Sequence, residues 1–409
     1  MTSLWLREST PFAAGAVPPE RSDVVVVGGG IAGVSVALHL ARRGVDVTLL
    51  ERSVLADRAS GRNDGQMLLG LGEHYHRVHS QFGADRARLL WQFIADNHAA
   101  LRETLAAERV PCELEQHGGL RLAETQHEWS ELQTAGQLLS QEGKMHELIT
   151  ADDVPRWLPA GRGFHGALFL PGEAIVQPVE MVRGLAAAAA RAGAHIVEQA
   201  PVAKVDGDAG AFHVHLADGR TVECTMVVHC TSVLARELDA SGGLQRMVFP
   251  FRGQVIATGA LPDEVARQFP PYAMSSNFCY EYFRRHGQRF VLGGMRWSVP
   301  GEELGLIDDS LHNPQITANL LEYAHAHFPV LEAVAFPHVW TGIMAGTPDG
   351  LPLVGALPGT SGAFALCAFN GYGLSFAFLA GRCLTEMIVD GHSDHPAATM
   401  FAPRRFAAG

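Results

Sequence analysis

The sequence is poor in charge, and what charge it carries is mostly negative. Charged residues make up 18% of its 409 positions and the net charge is −12. That balance repels a phosphate backbone and argues against nucleic acid as a partner. No run of like charges is long enough to mark a disordered tail. The six cysteines, Cys112, Cys224, Cys230, Cys279, Cys367 and Cys383, form no C-x-x-C pair and lie mostly in apolar stretches. They read as buried reduced thiols of a cytoplasmic protein rather than a disulfide framework. The opening MTSLWLREST lacks the charged and apolar regions of a secretory signal. A membrane span is also missing. The nearest candidate, AFALCAFNGYGLSFAFLAG at 363–381, is broken by Asn370, Gly371, Tyr372 and Gly373, and reads as strand, loop and buried helix. There is no internal repeat and no low-complexity tract.

What is present is an apolar interior. Hydrophobic residues make up 47% of a chain longer than one core usually carries, which predicts two domains. Residues 1–21 read as an N-terminal arm. A first βαβ unit follows: a strand at 24–27, a glycine turn, a helix over 31–43 stopped near Gly44, and a second strand ending at Glu51. Residues 57–72, DRASGRNDGQMLLGLG, read as a long functional loop. Helices are predicted over 84–107, 125–143, 178–193 and 314–327. Asp218-Gly219 marks a hairpin, and a β-rich block with a turn at His286-Gly287 runs from 249 to 299.

Gly28-x-Gly30-x-x-Gly33 follows a strand and opens a helix, the context a dinucleotide fingerprint requires. Gly28 permits the tight turn, Gly30 admits a pyrophosphate to the backbone, and Gly33 lets the helix pack on the strand. Ile31 and Ala32 begin a helix whose free N–H groups and positive dipole end suit phosphate. Glu51 stands where a carboxylate accepts from a ribose hydroxyl, with Arg52 beside it. A second glycine loop, Asn370–Gly373, opens a helix at the far end of the chain. This favours FAD over NAD, because reduced flavin develops negative charge that a helix start stabilises.

Together these segments resemble the D-amino acid oxidase superfamily of FAD-dependent oxidoreductases, closest to its glycine oxidase and gamma-glutamylputrescine oxidoreductase branches. The resemblance is carried by VVVVGGGIAG…ERS, ASGRNDGQ, QPVEMVRGLAAAAARAGAHIVE, PFRGQ, VLGGM, WTGIMAGTPDGLPLVG and FNGYGLS, in that order along the chain. It implies an α/β fold: a Rossmann-like, glutathione-reductase-like FAD-binding domain at 22–80, 165–248 and 336–395. A substrate domain on a large mixed or antiparallel sheet, at 81–164 and 249–335, interleaves with it. By position, Ser60, Gly61, Arg62, Asn63, Gly65 and Gln66 would line the flavin and diphosphate, and Val202 would meet the adenine. Thr231 and Ser232 would pass the cofactor, and Gly342, Gly371, Tyr372, Gly373, Leu374 and Ser375 would lie under the ring.

The departures matter as much. Amino acid oxidases of this superfamily often carry an arginine in the stretch that reads Gly342–Thr347 here, where it clamps a substrate carboxylate. This chain has Met344. No cysteine occupies residues 340–350, so the FAD is expected to be noncovalent; His74 and His76 lie too late to match the histidine-linked branch. Tyr282 reads either as a substrate contact or as a packed sheet tyrosine. Arg296 reads either as a replacement clamp or as a surface ion pair. Pairs such as His74-x-His76 and His213-x-His215, among twenty histidines, would share one face of a strand, but no third ligand accompanies them and no metal is expected.

The function this implies is oxidation of a C–N bond in an amine or amino-acid-derived substrate. Hydride passes to flavin, an imine forms, and O2 or another acceptor reoxidises the cofactor. The sequence identifies no base. Its rivals are a flavin monooxygenase, a non-catalytic FAD-holding subunit and a tRNA-modifying flavoenzyme. Substrate identity and oligomeric state stay open.

Overall fold

Val24–Val27 have no polar face, and accordingly lie in the middle of a sheet covered on both sides. A computed structural model describes residues 1–12, 17–239 and 242–406. In it, strand Arg21–Val27 runs parallel to Val47–Leu50 on one side and to Thr221–His229 on the other. The sheet continues through His195–Val197 at one end, and through Ala363–Cys367 and Leu353–Ala356 at the other. The hairpin Val202–Asp208/Ala211–Leu216 extends it antiparallel to Thr221–His229.

Helices Ile31–Arg42 and Gly373–Val389 cross closely over this sheet: a Cβ built on Gly381 would stand 2.8 Å from the Ser35 Cβ. Helix Ala84–Ala107 packs on Gly373–Val389, where Asn97 donates to Leu374 O at 3.0 Å and accepts from Leu379 N at 2.9 Å.

A second eight-stranded sheet runs in the order His338–Gly346, Phe249–Ala257, Arg289–Gly293, Glu281–His286, Ala273–Ser276, Gly119–Leu122, Gly166–Leu170, Glu147–Thr150. It is antiparallel except where Ala273–Ser276 pairs with Gly119–Leu122. Phe269, Phe283, Phe290 and Phe328 build its outer core beneath helix Pro314–His327. No helix among the described residues is long and apolar enough to cross a membrane.

The expected helices at 31–43, 84–107, 125–143, 178–193 and 314–327 form within two residues of those bounds, and Gly219 supplies the left-handed turn of the predicted hairpin. Three boundaries differ. Gly166–Leu170 and His338–Gly346 fall in segments expected in the FAD-binding domain, yet both join the second sheet, His338–Gly346 by pairing along the whole of Phe249–Ala257. Part of the segment expected as an arm packs into the fold. Leu4–Glu8 is a helix whose Trp5 is fully buried, donating from Nε1 to Asn63 O at 2.6 Å, while Ser3 Oγ donates to Gly61 O. His74 and His76 lie not on a strand but at the start of helix Tyr75–Phe82, and His74 is buried against Phe278.

Candidate active site

A cavity of about 440 Å³ opens between the two sheets, within the range of small-molecule sites. Its first wall is the glycine turn. Gly28 has φ +112°, and a Cβ there would press on Cys230 O at 2.8 Å. A Cβ on Gly33 would stand 1.9 Å from Gly28 O, so the helix rests directly on the turn. Gly30 caps that helix with no side-chain acceptor, and Ser60 Oγ takes the Ile31 N–H at 2.9 Å. Gly30, Ile31, Ala32 and Ser60 face the cavity.

Glu51 supports this turn from beneath. Its carboxylate accepts from Gly29 N at 2.7 Å and from Ser53 N at 2.9 Å. Burial pushes its pKa up, against the pull of those two hydrogen bonds. Arg52 beside it is exposed, and Val202, at the start of its strand, lies off the cavity wall.

The loop at 57–72 forms the floor. Arg62 lines the cavity but is tied down: Nε donates to Asp57 O at 2.7 Å and Nη1 to Thr341 O at 3.1 Å, with Asp309 Oδ2 at 3.4 Å. Asn63 folds the loop by donating to Ala59 O and Ser60 O and accepting from Gly65 N. Gly61 and Gly65 are away from the wall, packed against Ala56 O and Val176 O. Gln66 donates to Met274 O and Phe283 O across the second sheet, and its Oε1 has no partner. Ser232 lines the cavity; Thr231 beside it keeps a buried, unpaired Oγ1.

Beside the glycine turn is the start of helix Gly373–Val389, where a Cβ on Gly373 would stand 4.0 Å from Ile31, with no side-chain cap. Gly371, Tyr372, Gly373, Leu374 and Ser375 all face the cavity, and Ser375 Oγ donates to Leu68 O at 2.7 Å.

The roof belongs to the second sheet. The Tyr282 ring lies flat on Gly293, where a Cβ would come within 2.1 Å of it. Met344 reaches over Gly253, Gly342 lies beside Arg62, and all of these except Gly293 line the cavity. Arg296 is engaged in an ion pair, as one of its two readings expected, and it also borders the cavity. Its Nη1 donates to Glu302 O at 3.1 Å and Oε2 at 3.2 Å, with Phe251 5.1 Å below the guanidinium.

Sequence reasoning missed Asp64, Phe251, Glu73 and the run Phe278–Tyr280, all on the wall. Asn277, Phe278 and Cys279 have φ of 46°, 56° and 64°; three left-handed residues in a row throw Phe278 and Cys279 inward, and with no glycine there nothing in the sequence marks the turn. Among the described residues no group of three or more His, Cys, Asp or Glu is placed to hold a metal.

Two helix starts bordering one largely apolar cleft, with unpaired polar atoms at Gln66 and Thr231, fit a long ligand with phosphates at one end and a heteroaromatic ring at the other. The family model described as DAO, FAD dependent oxidoreductase, matches residues 23–387. The chain belongs to this family.

Relatives include gamma-glutamylputrescine oxidoreductase of Escherichia coli strain K12, 28% identical over 371 residues that cover 90% of this chain and 83% of that one. Glycine oxidase of Bacillus licheniformis is 27% identical over 380 residues, covering 90% and 94%. Among solved structures, glycine oxidase from Geobacillus kaustophilus matches with a TM-score of 0.79 at 23% identity, over 95% of this chain and 99% of that one. As a member of the DAO family the protein is an FAD-dependent oxidoreductase with the family's Rossmann-like cofactor domain.

Proposed function

We propose that the protein oxidises a C–N bond of an amine or amino-acid-derived substrate. The observation that carries this reading is the cavity itself, in which Tyr282, Met344 and Arg296 face the helix start at Gly371–Leu374 across one space. The relatives named gamma-glutamylputrescine oxidoreductase and glycine oxidase act on amines of that class and support it.

FAD held by the glycine turn at Gly28–Gly33, the loop at Ser60–Gln66 and the helix start at Gly373 would supply the two-electron oxidant for the carbon beside the substrate nitrogen, with O2 or another acceptor as the final oxidant. The protein's part is placement. The helix start at Gly373–Leu374 would favour the negative charge of a reduced flavin. Tyr282, Phe251 and Met344 keep water from the reacting carbon and fix its approach. Arg62, tied to Asp309 and Thr341, holds the floor against the second sheet.

Attachment of the FAD is noncovalent in this reading. Burial pushes the thiols of Cys230 and Cys279 up and that of Cys367 to about 12, so the cavity cysteines stay protonated and poorly nucleophilic. Six free cysteines, five of them buried, support a reducing compartment such as the cytoplasm.

Anaerobic mixing of the yellow holoenzyme with a panel of primary and secondary amines and amino acids tests the reading. Bleaching by a member of the panel is expected. Inertness to all of them would leave an FAD-holding subunit without this activity.

A further inference from the structure

Hydride leaves readily only from the carbon of a neutral amine, whose nitrogen lone pair stabilises the forming imine. Alkylamines have a pKa near ~10 and arrive protonated at neutral pH. Something must receive that proton, and the sequence marks no candidate because a loop aspartate among glycines reads as solvation.

We propose that Asp64 receives the substrate's ammonium group and takes its proton before the carbon–hydrogen bond breaks; the proposal rests on the amine-oxidation reading above. The transfer is balanced. The N–H bond breaks, its proton moves to a carboxylate oxygen, and the amine keeps the electron pair.

Asp64 is half-buried and lines the cavity from the loop at its floor. Gln66 N donates to its Oδ1 at a long 3.4 Å, the Gln66 side chain and the Asp64 N–H also favour its charged form, and among the described residues no arginine, lysine or histidine forms an ion pair with it. Facing it from strand Glu281–His286 are Tyr282 and Arg284. Arg284 directs its guanidinium to backbone oxygens, Gly65 O at 2.9 Å, Val176 O at 2.8 Å and Arg285 O at 3.2 Å, so its charge acts on Asp64 without an ion pair between them. The Tyr282 hydroxyl feels Asp64 from one side and Arg296 from the other. On Asp64's own loop, Arg62 turns away to Asp57 and Asp309.

A carboxylate on the cavity wall that forms no direct ion pair is a ready site for an ammonium group. Burial also raises its pKa, with Arg284 opposing, which brings it nearer to the range useful to a base.

The test uses FAD-loaded wild type, Asp64→Asn and Asp64→Glu. The first readout needs no substrate: the shift of the bound flavin's visible spectrum on titration with tetramethylammonium, and with tert-butanol as its neutral counterpart. Wild type and Asp64→Glu are expected to prefer the cation, and Asp64→Asn to lose that preference by about tenfold or more. The second readout is the pH profile of anaerobic bleaching by an amine that reduces the wild type. In Asp64→Asn the rate near neutrality is expected to fall roughly 100-fold and to climb with pH toward the amine's own pKa.

Equal cation preference in wild type and Asp64→Asn, or superimposable pH profiles, would overturn the proposal. So would release of flavin from Asp64→Asn, which would assign the residue to the cofactor. If no amine bleaches the wild type, the amine-oxidation reading falls while the cation titration still reports on Asp64.

Discussion

Arg121 and Glu173 meet inside the protein as a two-pronged pair, with Nη1 3.1 Å from Oε2 and Nη2 on Oε1. The pair grips the end of the cavity floor from both sides. Glu173 Oε1 accepts from Leu69 N at 2.8 Å, and Arg121 Nη2 donates to Leu69 O at 3.3 Å. Arg121→Leu would leave a buried carboxylate alone. The expected cost is about 3–5 kcal/mol, measured as a drop in the urea midpoint of the flavin-free protein. A loss below about 1 kcal/mol would show that the pair adds little beyond its own burial.

Gly33→Ala should abolish cofactor retention. The added methyl would lie 1.9 Å from Gly28 O, a backbone atom that cannot swing away. The helix start must lift off the turn, and overpacking of this kind costs about 1–3 kcal/mol or more. The protein is expected to purify nearly colourless, with a flavin affinity far below wild type. Normal flavin content would mean that the turn is looser than its geometry indicates.

Arg296 should discriminate between substrates rather than drive chemistry. Arg296→Ala is expected to raise KM for an amine carrying a carboxylate by about 10- to 100-fold, the worth of one charged hydrogen bond. KM for a neutral-tailed amine and kcat for both should stay close to wild type. Equal losses on the two substrates would instead place Arg296 with Glu302 as a purely structural pair.

Stability should fall with rising pH in a window set partly by Glu281. This side chain is fully buried, its Oε1 accepting from Trp297 Nε1 at 2.6 Å, and burial pushes its pKa up from 4.5 to about 7. A carboxyl raised on folding stabilises the fold while protonated. Its contribution is complete below pH 4.5 and is lost as pH rises through about 7. At about 1.4 kcal/mol per unit this amounts to roughly 2–4 kcal/mol. Glu281→Gln is expected to match wild type in melting temperature at about pH 4, below the unfolded pKa, and to exceed it at about pH 8, both measured on flavin-free protein. A constant difference between the two proteins across that range would remove Glu281 from the account.

The cofactor half of the site was legible because phosphate binding demands backbone, and glycine advertises backbone. A Cβ on Gly28 or Gly33 would strike backbone, and Gly30, Gly371 and Gly373 line the cavity. The helices were legible from their periodicity and caps. The substrate half was not. Phe251, Phe278 and Asp64 reach the cavity through sheet register and a left-handed turn, and a sheet residue shows its face only once its partners are known. The interleaving was underestimated for the same reason. His338–Gly346 lies beside cofactor-binding segments in the chain, but its nine residues pair with Phe249–Ala257. Trp5 was read as part of an arm because a short N-terminal segment gives no sign that it will be buried.

The two helix starts that border the cavity sit at residues 31 and 373. During synthesis the first emerges long before the second. The nascent chain must therefore complete most of its core before it can clasp the coenzyme with both hands. Vitamin supply would govern how much of the finished protein becomes active without governing whether its early segments begin to fold.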